Sequence, residues 1–149
     1  MNKIKNYLFF LFLILIIGCN QYLPNHTKMK KTEKINHIND FKWINRVLVL
    51  KSESFLIEQI KINEKKISKR DIIIVTIDEN TYIKKNVLSD NFYKSLKKKL
   101  KSIDSTYEAI LIGLDGKIKK IYNKDIDLNT IFSDIDKMPM RINEMKKNN

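Results

Sequence analysis

The sequence is short of the residues that most often carry chemistry. Its 149 residues include one cysteine, Cys19, and two histidines, His26 and His37. A lone cysteine excludes both a disulfide framework within the chain and the paired thiols of a dithiol oxidoreductase. Isolated histidines, with no Cys, Asp or Glu at ligand spacing, give no metal signature. No metal and no cofactor is therefore expected. Glycine and proline are scarce, at 3 and 2, which excludes collagen-like and proline-rich linker architectures. Acidic residues are also few: 17 Asp and Glu face 29 Lys and Arg, for a net charge of +12. Such an excess suits an anionic surface or nucleic acid. Here Lys, Asn and Ile are abundant together, so the excess reads as a compositional bias spread over solvated faces, with no specific nucleic acid partner expected.

What is present is enough for one folded domain. Hydrophobic residues make up 43% of the chain, and a single core is all that this length supports. The first segment is different in kind. Lys3 and Lys5 precede an unbroken apolar run over 8–17, which is too short for a comfortable membrane span. The run ends in Ile16-Ile17-Gly18-Cys19, which resembles the bacterial lipoprotein box. That resemblance implies a lipoprotein signal peptide over 1–18, cleavage before Cys19 and acylation of its thiol, with several chains giving stable anchoring. The expected location is the cell envelope, lipid-anchored to a bacterial membrane and facing the periplasm or the cell surface. Residues 19–39 are polar and basic with Pro24 and no apolar period, so they read as a flexible tether to a domain over 40–149.

Within the domain, Phe41 and Trp43 are expected to cover the edge of the core ahead of a first strand, 47–50. Trp43 is also a candidate contact residue, because aromatic side chains are common anchors. Ser52 suits the N-cap of a helix over 53–66, with Phe55, Leu56, Ile60 and Ile67 as its apolar positions and Gln59 on the same side. The β-branched run 72–77 reads as a central parallel strand, with Asp78 and Glu79 at its carboxyl end, where open α/β sheets bind ligands. Ser89 caps a second helix whose stripe is Phe92, Leu96, Leu100 and Ile103, with Lys97, Lys98 and Lys99 on the other face. A third strand, 109–112, and a fourth, 117–122, flank Asp115-Gly116, read as a two-residue hairpin with positive φ at both positions. Asp127 caps a last helix over 128–136, buried through Leu128, Ile131, Phe132 and Ile135. Met138-Pro139-Met140-Arg141 ends it. Both methionines are expected to fold back onto the core, with Arg141 bonded to Asp136 or Glu144, and 141–147 to form a further short helical turn. The order β-α-β-α-β-β-α predicts an α/β, thioredoxin-like domain, a four-stranded mixed sheet with helices on both faces.

Arg46-Val47-Leu48-Val49, Gln59, Arg70-Asp71, the hairpin 112–119 and Ile135-Asp136-Lys137-Met138-Pro139-Met140-Arg141 with Glu144-Met145 resemble one family. It is the bacterial thioredoxin-like domain of unknown function also found in animal sushi-repeat and coiled-coil-domain matrix proteins. The resemblance implies a thioredoxin-like fold, an extracytoplasmic location and no settled activity. Animal relatives are linked to matrix and adhesion roles.

A thiol oxidoreductase needs a thiolate where the first strand meets the first helix. Residues 51–55, Lys-Ser-Glu-Ser-Phe, supply none. The leading expectation is a non-catalytic binding or interaction module held at a membrane by its lipid anchor, with an envelope protein or a polyanion as partner. Its candidate interaction surface is Trp43, Arg46, Asp78 and Arg141. The alternatives are a non-redox enzyme using Ser52, Glu53, Asp78 or Arg141 at the strand ends, and a basic binder of polyanions or membrane surfaces.

Overall fold

A computed structural model of the chain describes residues 34–51, 53–77, 88–123 and 125–147. It divides the chain into two compact units, 1–31 and 32–149, and all of the described residues belong to the second. Cys19, Ser52 and Asp78, with the expected signal peptide and most of the expected tether, lie outside the described residues. Among the described residues, no helix is long and apolar enough to cross a membrane.

The elements are a 3-10 turn η1 (Ile38–Phe41), β1 (Arg46–Leu50), α1 (Leu56–Ile62), α2 (Glu64–Ser68), β2 (Ile72–Thr76), α3 (Asp90–Leu100), β3 (Ala109–Ile112), β4 (Ile118–Tyr122), α4 (Leu128–Asp136) and α5 (Pro139–Lys147). The sheet order is β2-β1-β3-β4. β1 and β2 are parallel, whereas β3 runs antiparallel to β1 and to β4. This is the expected mixed four-stranded sheet in its thioredoxin-like α/β arrangement. β1 and β3 occupy the middle and are buried along their whole length, which is why they carry no polar alternation.

Strand alternation sorts the core into two layers. Leu48, Leu50, Ile72, Ile74, Ala109 and Leu111 face α1, α2 and α4. Val47, Val49, Val75, Ile110 and Ile112 face η1 and α3. Phe92, Leu96 and Leu100 of the expected stripe are buried on α3, Ile103 lies beyond its end and is half-buried, and the Ser89 hydroxyl accepts from the Phe92 amide at 3.3 Å as the cap. Asp127 caps α4 by accepting from the Thr130 amide at 2.7 Å.

Several expectations need correction. Packed chain begins before residue 40: Ile38 is buried, and Ile35 packs against the same layer. The helix expected over 53–66 is two helices broken at Asn63, whose side-chain amide donates to the Gln59 carbonyl at 2.8 Å. A side chain bonding the carbonyl four residues back competes with the helix backbone there. Phe55 precedes the helix and is exposed, not core. In the β3–β4 turn only Gly116 has positive φ, +72°, and its amide bonds the Gly113 carbonyl at 2.9 Å. The turn is thus closed across four residues, with the glycine in its last place, and a register shift beside Ile112 absorbs the extra length. Pro139 opens a nine-residue helix, longer than the single turn expected, as proline in a first helical position does.

Candidate functional site

The register places functional groups at two opposite ends of the sheet. Leu50 pairs with both Thr76 and Ala109, so the loop after β1 and the residues before β3 meet at the carboxyl ends of β1 and β2. This is where a fold of this kind would keep a reactive group. The side chain found there is Ser54, which is buried. Its hydroxyl donates to the Glu108 carboxylate in a short hydrogen bond and accepts from the Leu56 amide at 3.2 Å. A serine has one proton to donate, and this one is committed. Lys51 lies with its ammonium 5.5 Å from the Tyr107 ring. Among the described residues the one histidine, His37, is on the other layer, where its Nδ1 accepts from the Asn39 amide at 3.0 Å in the cap of η1. The pair ties the start of α1 to the residue before β3.

Arg46 starts β1 and Arg70 precedes β2, so both stand at the amino ends of the parallel pair. α4 and α5 bring Asp136, Arg141 and Glu144 to the same place. Arg70 grips Asp136 with two nitrogens, at 2.5 and 3.1 Å, and Arg141 reaches the same carboxylate at 3.3 Å. Glu144 accepts from Arg46 at 2.8 Å and from Arg141 at 3.1 Å. Arg46 also donates to the Arg70 carbonyl at 2.9 Å, and the Arg70 guanidinium lies 4.4 Å from the Phe132 ring. Burial alone would raise the carboxyl pKa of Asp136, but the hydrogen bonds and charges of Arg70 and Arg141 outweigh it and hold the group below its ordinary value. Burial likewise opposes ionisation of Glu144, and Arg46 and Arg141 overcome it.

These positions revise the candidate surface. Arg46 and Arg141 are 1% and 3% exposed. They are interior guanidinium groups of a clasp, not residues that a partner can reach. The expected bonds of Arg141 to Asp136 and Glu144 both exist. Of the two methionines, Met138 packs against the core, but Met140 is exposed because it points away on the first turn of α5. Gln59 belongs to the same scheme, since its side-chain oxygen accepts from the Leu128 amide at 2.9 Å and ties α1 to the start of α4.

Trp43 also departs from its expected place. Phe41 is buried, but Trp43 is 60% exposed and the following Ile44 65%. The Trp43 amide donates to the Leu114 carbonyl at 2.7 Å, which pins this segment beside the β3–β4 turn. The pinned backbone has φ +65° at Trp43, a conformation that costs a bulky residue on the order of 1–3 kcal/mol. The Lys42 ammonium lies 5.5 Å from the indole ring. Sequence reasoning missed Ile44, because exposure here follows from the Leu114 contact and not from a periodic pattern. A separate cleft of about 330 Å³, floored by Ile60, Ile67, Ile72 and Ile74, opens beside β2 and includes none of the predicted site residues. Among the described residues no three His, Cys, Asp or Glu side chains are placed to hold a metal ion.

The model of the domain of unknown function DUF4174 matches residues 37–144. The chain belongs to that family. The match spans the folded unit from the cap of η1 to Glu144, the last carboxylate of the clasp, so the DUF4174 domain includes every member of the arginine–carboxylate network. No curated protein and no solved structure matches the chain.

Proposed function

We propose that this DUF4174 protein is a membrane-anchored, non-catalytic interaction module of the cell envelope, acylated at Cys19 and contacting a partner protein through Trp43 and Ile44. The observation that carries the reading is the exposed Trp43–Ile44 pair, held outward on a backbone with positive φ at Trp43. Two large apolar side chains left in water at a pinned, unfavourable conformation make a preformed anchor, and aromatic anchors dominate protein contacts. The committed hydroxyl of Ser54 argues in the same direction, since its one proton is held by Glu108. The lipoprotein-box sequence ending in Cys19 supports the anchor.

A single experiment in cells tests both halves. A photo-crosslinking amino acid is placed at Ile44 or, as a control, at Ile62, which is more exposed and lies on α1. A discrete adduct from position 44 alone, in the membrane fraction and lost to the soluble fraction in Cys19→Ala, is the expected result. Equal, diffuse labelling from both positions removes Trp43–Ile44 as the contact. Membrane retention of Cys19→Ala removes the acyl anchor.

A further inference from the structure

The lysines of the domain are not all in the same situation. Beside β4 and on α1 they are neutralised: Lys61 meets Glu58 at 2.6 Å, Lys119 meets Asp115 at 2.8 Å and Lys120 meets Asp134 at 2.7 Å. α3 is different. After Asp90 in its first turn the helix has no acid, and Lys94, Lys98 and Lys101 stand exposed at four- and three-residue steps, with Lys97 beside them. Steps of that size put them on one stripe, about 10 Å long at 1.5 Å per residue. Among the described residues, none of Lys94, Lys98 and Lys101 takes part in an ion pair. Asp104, exposed just beyond the helix, accepts from the Thr106 amide at 3.1 Å.

The chain that leads back to Cys19 joins the domain on this same layer. Ile35 bridges to Leu88, and its carbonyl accepts from the Ser89 amide at 3.0 Å, at the cap of α3. Three residues on, the Ile38 amide donates to the Ser95 hydroxyl at 2.9 Å, in the middle of α3. Fifteen positions separate Cys19 from Lys34 in the sequence. The chain that comes from Cys19 thus enters the folded unit against α3 and not against α1 or α2.

We infer that the outer face of α3, through Lys94, Lys98 and Lys101, lies on anionic phospholipid headgroups. The partner is chosen by charge complementarity and by the place where the tether enters. Each lysine near such a surface gains about fivefold in affinity, so the three together favour this orientation by on the order of a hundredfold over one that faces them to water. The effect would set the domain down on the bilayer by one face. It rests on the acyl anchor proposed above.

The test uses the full chain purified from membranes and reconstituted into vesicles, either pure phosphatidylcholine or with one third phosphatidylglycerol. Lysines are acetylated with a water-soluble reagent, and the rate at each is read by mass spectrometry. Lys94, Lys98 and Lys101 should be modified at least about fivefold more slowly on the anionic vesicles. Lys65 and Lys66 on α2 should not change. The protection should vanish in 1 M salt, where screening shortens to about 3 Å. Equal rates on the two vesicles overturn the inference alone, and so does protection of Lys65 and Lys66 to the same degree. Protection by soluble heparin but not by the anionic vesicles also overturns it, in favour of a free polyanion. A chain that fails to co-migrate with vesicles of either kind overturns the acyl anchor and this inference together.

Discussion

The two ends of the sheet use polar residues in opposite ways. At the carboxyl ends of β1 and β2, the buried Ser54 hydroxyl is tied to the Glu108 carboxylate. At the amino ends, three guanidinium groups and two carboxylates join β1, the start of β2, α4 and α5 in one network. The first is where a thioredoxin-like sheet would keep its chemistry. The second lies at the opposite end of the parallel pair and gathers Arg46, Arg70, Asp136, Arg141 and Glu144. Arginines and carboxylates that stand out in the sequence are therefore spent on closing the fold, and such a residue need not be a site residue. Arg46 and Arg141 illustrate the point: both were candidates for a surface and both are interior.

The strongest way to break this comparison is to remove one carboxylate. Three positive groups share two negative ones, so loss of an acid is worse than loss of an arginine. Glu144→Ala leaves Arg46, at 1% exposure, with no carboxylate partner. Removing one member of a buried pair costs about 3–5 kcal/mol, and a thermal melt should fall by roughly 10 °C or more. Arg141→Ala should cost less, because Asp136 keeps Arg70 and Glu144 keeps Arg46. Ser54→Ala at the opposite end should cost only about 1–2 kcal/mol, since half-buried Glu108 can turn to water. If Ser54→Ala melts lower than Glu144→Ala, the two ends have been assigned the wrong way round.

Acid sharpens the same contrast without changing more than one side chain. The folded pKa values of Asp136 and Glu144 lie below the ordinary 3.8 and 4.5. The unfolded chain therefore binds more protons than the folded one in that range, and stability falls as pH falls. The contribution of the network is complete above the ordinary carboxylate values and is lost as pH drops through the depressed ones. Urea midpoints from pH 7 to pH 2.5 should show this acid limb in the wild type. Glu144→Gln should start lower at pH 7 and lose part of the slope. Some slope should persist, because Lys120 and Tyr122 also hold Asp134 below its ordinary value. Identical slopes in the two proteins would show that the network is not what acid dissolves.

How far the sequence was readable follows from the range of each interaction. Elements fixed by local rules were legible: the buried runs of β1, β2 and β3, the stripe of α3, and the caps at Ser89 and Asp127. The break at Asn63 was missed because a side chain there took over a backbone acceptor, which leaves no trace in apolar spacing. The pairing of Arg141 with Asp136 and Glu144 was legible because the partners are five and three residues away. Arg46 with Glu144 and Arg70 with Asp136 were not, since they span 98 and 66 residues. Trp43 was misplaced for a related reason. Its exposure depends on the Leu114 carbonyl, a contact across the sheet end that no window of sequence contains.

Trp43 gives the smallest stability effect and the finest test of the comparison, because it sits at the amino end yet takes no part in the clasp. Its amide is used, its ring is 60% exposed, and its φ of +65° is one that glycine adopts freely. Trp43→Gly deletes the ring and the Lys42 contact, worth about 0.5–1 kcal/mol at an exposed site. It relieves the left-handed strain at the same time, and it adds freedom to the unfolded chain, which offsets part of that relief. These terms nearly cancel, so the variant should melt within a few degrees of the wild type while the Ile44 crosslink weakens sharply. Trp43→Ala keeps the strain and loses the ring, so it should melt slightly lower than Trp43→Gly. That order, glycine above alanine, is the signature of a side chain held out for something other than stability. If instead Trp43→Gly loses more than about 2 kcal/mol, the magnitude of a buried-side-chain truncation, the indole belongs to the core and the amino end of the sheet is structural throughout.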